Sequence, residues 1–176
     1  MIRRIRIAGF GGQGVMLTGQ MLAYAANEQG LYSVWVPTYG PETRGGTANC
    51  SVIISDKPIY SPVFKNADDL MAFNLPSLHK FQDLVTKEGN IFYNASLIEE
   101  EVKKSCHVFG IPMNEIANEL DKPQVANMVM LGAYLKVTNI FKDEVIVNSL
   151  KYFLKGGKES LLPVNQKAIA IGYEYI

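Results

Sequence analysis

The run Gly9-Phe10-Gly11-Gly12-Gln13-Gly14 places four glycines between two segments of opposite habit. Before it, Ile5-Arg6-Ile7-Ala8 alternates as a strand does. After it, residues 15–29 are rich in Met, Leu and Ala, as a buried helix is, and Gly30 supplies a stop. A strand, a glycine turn and a helix in immediate succession commit this part of the chain to an α/β arrangement. The run also satisfies G-x-G-x-x-G in the strand-to-helix context that the fingerprint requires. Glycines permit positive φ and close approach, while N–H groups at a helix start offer partial positive charge to a phosphate or other anion. A dinucleotide fits less well, because it wants an Asp or Glu at the end of the second strand, where this chain has Pro37 and Thr38. Two readings stay open for Gly9, Gly11, Gly12, Gln13 and Gly14: contact with an anionic cofactor, or a tight turn that lets the helix lie close on the sheet.

The rest of the chain extends the pattern. Residues 32–36, ended by Pro37, and residues 49–54, 70–73, 91–93 and 107–109 read as strands. Asn74 is a helix cap with Pro76 in the first turn, and an apolar helical spacing runs on through Leu78, Phe81, Leu84 and Val85. From Pro112 the character changes, and residues 113–120, 125–138, 142–154 and 163–171 read as helices. In the third of these Ile146, Leu150, Phe153 and Leu154 form one face, with Asp143 and Glu144 at the positive end and Lys151 and Lys155 toward the negative end. The 176 residues, 48% hydrophobic and 19% charged, suit one well-buried domain, and no repeat or long linker interrupts them. The expected fold is a single domain over 1–176, a three-layer α/β/α sandwich with a mostly parallel sheet and a helical C-terminal part.

Tyr39, Gly40, Pro41, Glu42, Thr43, Arg44, Gly45, Gly46 and Thr47 connect the second and third strands. In a parallel sheet the loops after strands one and two share an edge, and α/β proteins bind ligands there. Tyr39 can stack, Glu42 can accept, and Arg44 can clamp a carboxylate or phosphate in bidentate fashion. The alternative is a solvated loop closed by a Glu42–Arg44 ion pair.

Seventeen Lys and Arg balance seventeen Asp and Glu, so no global field draws the chain to nucleic acid or anionic lipid. Cys50 and Cys106 are the only thiols and lack C-x-x-C spacing, so a four-thiolate iron–sulfur or zinc site cannot be built from this chain alone. Both are expected in strands, as small apolar core residues of a protein in a reducing compartment. The basic start, residues 1–6, resembles a signal peptide, but Gly9, Gly11 and Gly12 cut the apolar stretch short, and no run of about 18 apolar residues follows. A cytoplasmic location is expected. His79 and His107 are isolated, so no metal site is expected. No serine sits in a G-x-S-x-G elbow. Asp68-Asp69 reads as a loop end. Residues 127–133 combine methionines with small residues, which suits core packing or, alternatively, a subunit contact.

Taken together, residues 7–15, the stretch from Pro37 to Cys50, Ser55-Asp56-Lys57-Pro58-Ile59, Ser61-Pro62, Asn74-Leu75-Pro76-Ser77-Leu78 with Lys80-Phe81, and Val125-Ala126-Asn127-Met128 resemble the gamma subunits of 2-oxoacid:ferredoxin oxidoreductases. The likeness covers nearly the whole chain and is strongest to the 2-oxoglutarate enzymes, with ketoisovalerate, pyruvate and indolepyruvate relatives close behind. It implies an assembly that oxidatively decarboxylates a 2-oxoacid with coenzyme A, giving acyl-CoA and carbon dioxide and reducing ferredoxin. Thiamine diphosphate, Mg2+ and [4Fe-4S] clusters are then expected on alpha and beta partners and a ferredoxin-like delta subunit, with no cofactor held by this chain alone. Within such an assembly the Gly9–Gly14 and Tyr39–Gly46 loops are expected to form one surface that docks on the thiamine-binding subunits and touches coenzyme A phosphates. The residues by themselves leave two alternatives: a free-standing nucleotide-binding protein using the glycine fingerprint, or a scaffolding subunit without ligand.

Overall fold

A computed structural model describes residues 1–40 and 47–176. Six strands form one sheet: β1 (Ile2–Phe10), β2 (Tyr32–Tyr39), β3 (Thr47–Ser55), β4 (Ala67–Ala72), β5 (Val85–Asn94) and β6 (His107–Ile111), in the spatial order β2-β3-β1-β4-β5-β6. Strands β1, β4, β5 and β6 pair in parallel, whereas β3 runs antiparallel to both β1 and β2. Among the described strands β3 alone is therefore reversed. The cause is chain length, since the few residues between Tyr39 and Thr47 are too short for a crossover and can close only a hairpin. Its neck is drawn together by the Gly40 N–H, which donates to the Thr47 carbonyl at 2.9 Å.

Among the described residues six helices complete the fold: α1 (Val15–Glu28), α2 (Leu75–Phe81), α3 (Met113–Glu119), α4 (Ala126–Thr138), α5 (Asp143–Phe153) and α6 (Leu162–Tyr175). The three expected layers are present but unequal. On one face Ile5 and Ile7 of β1, Met71 of β4, Phe92 of β5 and Ile111 of β6 pack against α1, α3, α4 and α5. On the other, Ala8, Leu70, Ala72 and Ile91 are covered by Leu78 and Phe81 of α2 and by Ile98 from the β5–β6 connection. Helix α4 is buried on all sides from Ala126 to Leu135, because α6 packs along its outer surface. That explains why apolar residues run all round it from Met128 to Leu135.

Several expectations need correction. Pro37 does not end β2, which runs on to Tyr39; β2 lies at the sheet edge, where the missing proline N–H costs no ladder bond. The helical spacing after Asn74 stops at Phe81, gives way to a 3-10 turn over Gln82–Leu84, and Val85 already begins β5. Asp68 and Asp69 lie within β4 and are not a loop end. Cys50 is fully buried in β3 as expected, but Cys106 precedes β6 and is only partly buried.

Candidate functional site

The glycine loop leaves β1 and enters α1 at the edge of the sheet where the parallel strands end. A Cβ on Gly9 would lie 2.6 Å from Gln13 Oε1 and 2.9 Å from Phe73 Cβ, so this position needs glycine for close approach. Gly12 and Gly14 adopt φ of +94° and +82°, a region costly for residues with a side chain. Gly14 is the N-cap of α1 and contributes no capping side chain, and the first turn carries no acid. Its positive end is therefore not neutralised by an acid of its own first turn.

Gln13 holds this shape. Its Oε1 accepts from the Phe10 N–H at 2.7 Å and from Asn74 Nδ2 at 3.1 Å, while its Nε2 donates to the Phe73 carbonyl at 3.2 Å. The Gln13 amide thus ties the loop after β1 to the loop after β4. Among the residues expected to bind a cofactor, it is the one with a side chain, and that side chain is engaged within the protein.

Between the glycine loop and the β2–β3 neck opens a cavity of about 480 Å³, lined by Gly11, Gly12, Gly14, Val15, Met16, Leu17, Tyr39, Gly40, Thr47 and Ala48. The structure thus brings Tyr39 and Gly40 onto the same cavity as three of the loop glycines. It does so because Phe10 pairs with Thr47 and Tyr39 with Ala48, which sets both strand ends side by side. Tyr39 is 67% exposed. Pro41, Glu42, Thr43, Arg44, Gly45 and Gly46 lie outside the described residues.

Three features escape a sequence reading. Asn127, buried at the start of α4, donates to the Thr18 hydroxyl at 3.3 Å and to the Gly14 carbonyl at 3.4 Å, fastening α4 to the head of α1. Near the start of the interior strand β4, Asp69 is fully buried and accepts from Arg3, from Asn90 Nδ2 at 2.7 Å and from the Tyr134 hydroxyl at 3.0 Å. The hydrogen bond to Asp69 raises the Arg3 pKa, and burial, reinforced by the Asp69 charge, raises that of Tyr134 well above the usual range. His79 is not isolated, because its Nε2 lies 2.6 Å from Glu100 Oε1. Their partners are 21 to 113 residues away, beyond any local pattern.

Cys50 lies beneath α1, where its thiol donates to the Val15 carbonyl at 3.6 Å and burial pushes its pKa up to about 12. That makes it a poor nucleophile and a poor metal ligand. Among the described residues no three His, Cys, Asp or Glu side chains converge as a metal site, so an iron–sulfur cluster does not fit here. No helix among them is long and apolar enough to cross a membrane.

The sequence matches the family described as Pyruvate ferredoxin/flavodoxin oxidoreductase over residues 4–175. The chain belongs to this family. Within it the chain is 37% identical over 172 residues to ketoisovalerate oxidoreductase subunit VorA of Methanothermobacter marburgensis, covering 98% of this chain and 36% of that one. It thus spans about a third of the length of that relative. It is 35% identical over 181 residues to 2-oxoglutarate synthase subunit KorC of Methanocaldococcus jannaschii, covering 99% of this chain and 94% of the relative. Two solved structures of the family share the fold. The gamma subunit of a keto/oxoacid ferredoxin oxidoreductase from Geobacter sulfurreducens superposes with a TM-score of 0.82 at 29% identity, over 98% of this chain and 96% of the other. The 2-oxoglutarate:ferredoxin oxidoreductase of Magnetococcus marinus, a structure with 2-oxoglutarate, coenzyme A and succinyl-CoA bound, superposes with a TM-score of 0.89 at 25% identity, over 99% of this chain and 31% of that one.

Proposed function

We propose that this chain is the gamma subunit of a 2-oxoacid:ferredoxin oxidoreductase acting on 2-oxoglutarate, in which a 2-oxoacid, coenzyme A and oxidised ferredoxin yield acyl-CoA, carbon dioxide and reduced ferredoxin. The observation that carries this reading is the family match from residue 4 to residue 175, which takes in the glycine loop and all but the first two residues of the sheet that presents it. The likeness to KorC over 94% of that relative's length supports 2-oxoglutarate, and the likeness to VorA makes ketoisovalerate the second reading. Thiamine diphosphate, held with Mg2+ by partner subunits, supplies the decarboxylation chemistry. The iron–sulfur clusters reside on partners as well, alpha and beta chains and a ferredoxin-like delta chain. The isolated chain is inactive, and the assembly works in the cytoplasm.

The chain's own contribution is the cavity edge. Gly11, Gly12 and Gly14 present backbone rather than side chains, and the start of α1 adds a partial positive charge with no acid in its own first turn. These features suit the phosphates of coenzyme A. Tyr39, Gly40 and the following residues through Gly46, Arg44 among them, form the surface that meets the thiamine-binding subunits. Affinity capture from the native source tests this reading. Larger chains with a brown iron–sulfur absorbance and 2-oxoglutarate-dependent dye reduction in the eluate support it, and a colourless, partnerless protein retaining a nucleotide overturns it.

A further inference from the structure

We propose that Asn74 is a positioning residue that sets the shape of the glycine loop through the Gln13 amide, and thereby governs coenzyme A binding; the second half of this rests on the function proposed above. Asn74 is 3% exposed and divides its side chain between two tasks. Its Oδ1 accepts from the Ser77 N–H at 3.0 Å and caps α2, while its Nδ2 donates to Gln13 Oε1 at 3.1 Å. The Gln13 amide cannot turn over without loss. Its oxygen faces two donors, the Phe10 N–H and Asn74 Nδ2, and its nitrogen faces the Phe73 carbonyl. That carbonyl also receives Asn94 Nδ2 at 3.1 Å, and Asn94 is fully buried and bonds Asn114 Oδ1 at 2.7 Å. Two pairs of side-chain amides, Asn74–Gln13 and Asn94–Asn114, meet at the Phe73 carbonyl and so join the ends of β1, β4 and β5 to α3. Buried amides of this kind fix geometry, because each lost partner leaves another group unsatisfied.

The two tasks of Asn74 can be separated. Asn74→Asp and Asn74→Ser both keep an oxygen that caps α2, since Asp and Ser serve as well as Asn at that position. Both remove the donor to Gln13, the first by setting an oxygen against an oxygen, the second without adding charge. A residue that only caps a helix predicts no change at the loop in either variant. The positioning role predicts faster amide exchange in the peptide covering residues 8–16, measured by mass spectrometry on the assembled complex, with the exchange of α2 held at the wild-type rate. It also predicts a KM for coenzyme A raised about tenfold while kcat changes less than threefold, as loss of one bond to a buried polar group would give. Unchanged exchange at residues 8–16 in both variants overturns the positioning role. Faster exchange with an unchanged KM supports the loop-setting role and instead sinks the contact between this loop and coenzyme A.

Discussion

Gly132 of α4 and Gly172 of α6 face one helix crossing from opposite sides: a Cβ on Gly132 would lie 2.0 Å from the Ile169 carbonyl oxygen, and one on Gly172 would lie 1.9 Å from that of Val129. Both obstacles are backbone, so neither can rotate aside, and the helices would have to separate. Gly132→Ala and Gly172→Ala are each expected to cost about 3 kcal/mol through overpacking, despite the better helix propensity of alanine. Urea unfolding monitored by circular dichroism checks this, and wild-type midpoints for both variants would show that the crossing can relax.

The loop glycines separate by mechanism. A Cβ on Gly12 meets nothing within 4 Å, so Gly12→Ala carries only the backbone strain of its positive φ, about 1 kcal/mol. At Gly14 the same strain is joined by a contact of 2.5 Å with Asn127 Nδ2, and the expected cost rises to about 3 kcal/mol. In an Asn127→Ala background Gly14→Ala should cost less than it does alone, so a double-mutant cycle must show coupling. Strict additivity of the two changes would mean that Asn127 does not confine the loop.

The buried thiol makes stability fall in alkali. The Cys50 pKa is raised from an ordinary 9.0 to about 12 by burial, so above pH 9 the unfolded chain loses this proton while the folded one keeps it. The unfolded state then binds fewer protons, and unfolding free energy drops as pH rises, with a limiting slope of about 1.4 kcal/mol per pH unit until about pH 12. Tyr134, also raised by burial, adds to the loss above the ordinary tyrosine range. Denaturant titrations from pH 8 to 11 should show this fall, and Cys50→Ala should remove the part that begins at pH 9. An identical pH slope in that variant would exclude Cys50 as its source.

Arg44 carries the expectation for the second loop. Arg44→Ala is expected to weaken assembly with the thiamine-binding subunits or to raise the KM for coenzyme A roughly tenfold, the loss of one charge-assisted pair. Gel filtration of the co-expressed subunits and steady-state kinetics read the two effects. If complex yield and kinetics both match wild type, the loop plays neither part.

What the sequence reveals is what local periodicity and punctuation encode. The succession β1, glycine loop, α1 is legible because alternation, four glycines and a Met- and Leu-rich run follow one another without interruption. Helix α5 is legible from its apolar face and charged ends. Pro37 misleads because a proline stops an interior strand but not an edge strand, and edge position is a property of the whole sheet. Asp69 misleads because a carboxylate inside a strand is tolerable only with Arg3, Asn90 and Tyr134 around it, and these come from three other elements. The candidate site divides in the same way. Its glycines stand out in the sequence, while the engagement of Gln13 by Asn74 depends on β1 and β4 lying side by side.

The burial of α4 bears on how the protein is made. Synthesis delivers Ala126 to Leu135 well before Leu162–Tyr175, the helix that covers their outer surface. Until that cover arrives, a nascent chain carries a helix with no polar side to turn toward water, and the sheet can shelter only part of it. Products that stop short of residue 162 should therefore aggregate or bind chaperones rather than accumulate as a stable subdomain.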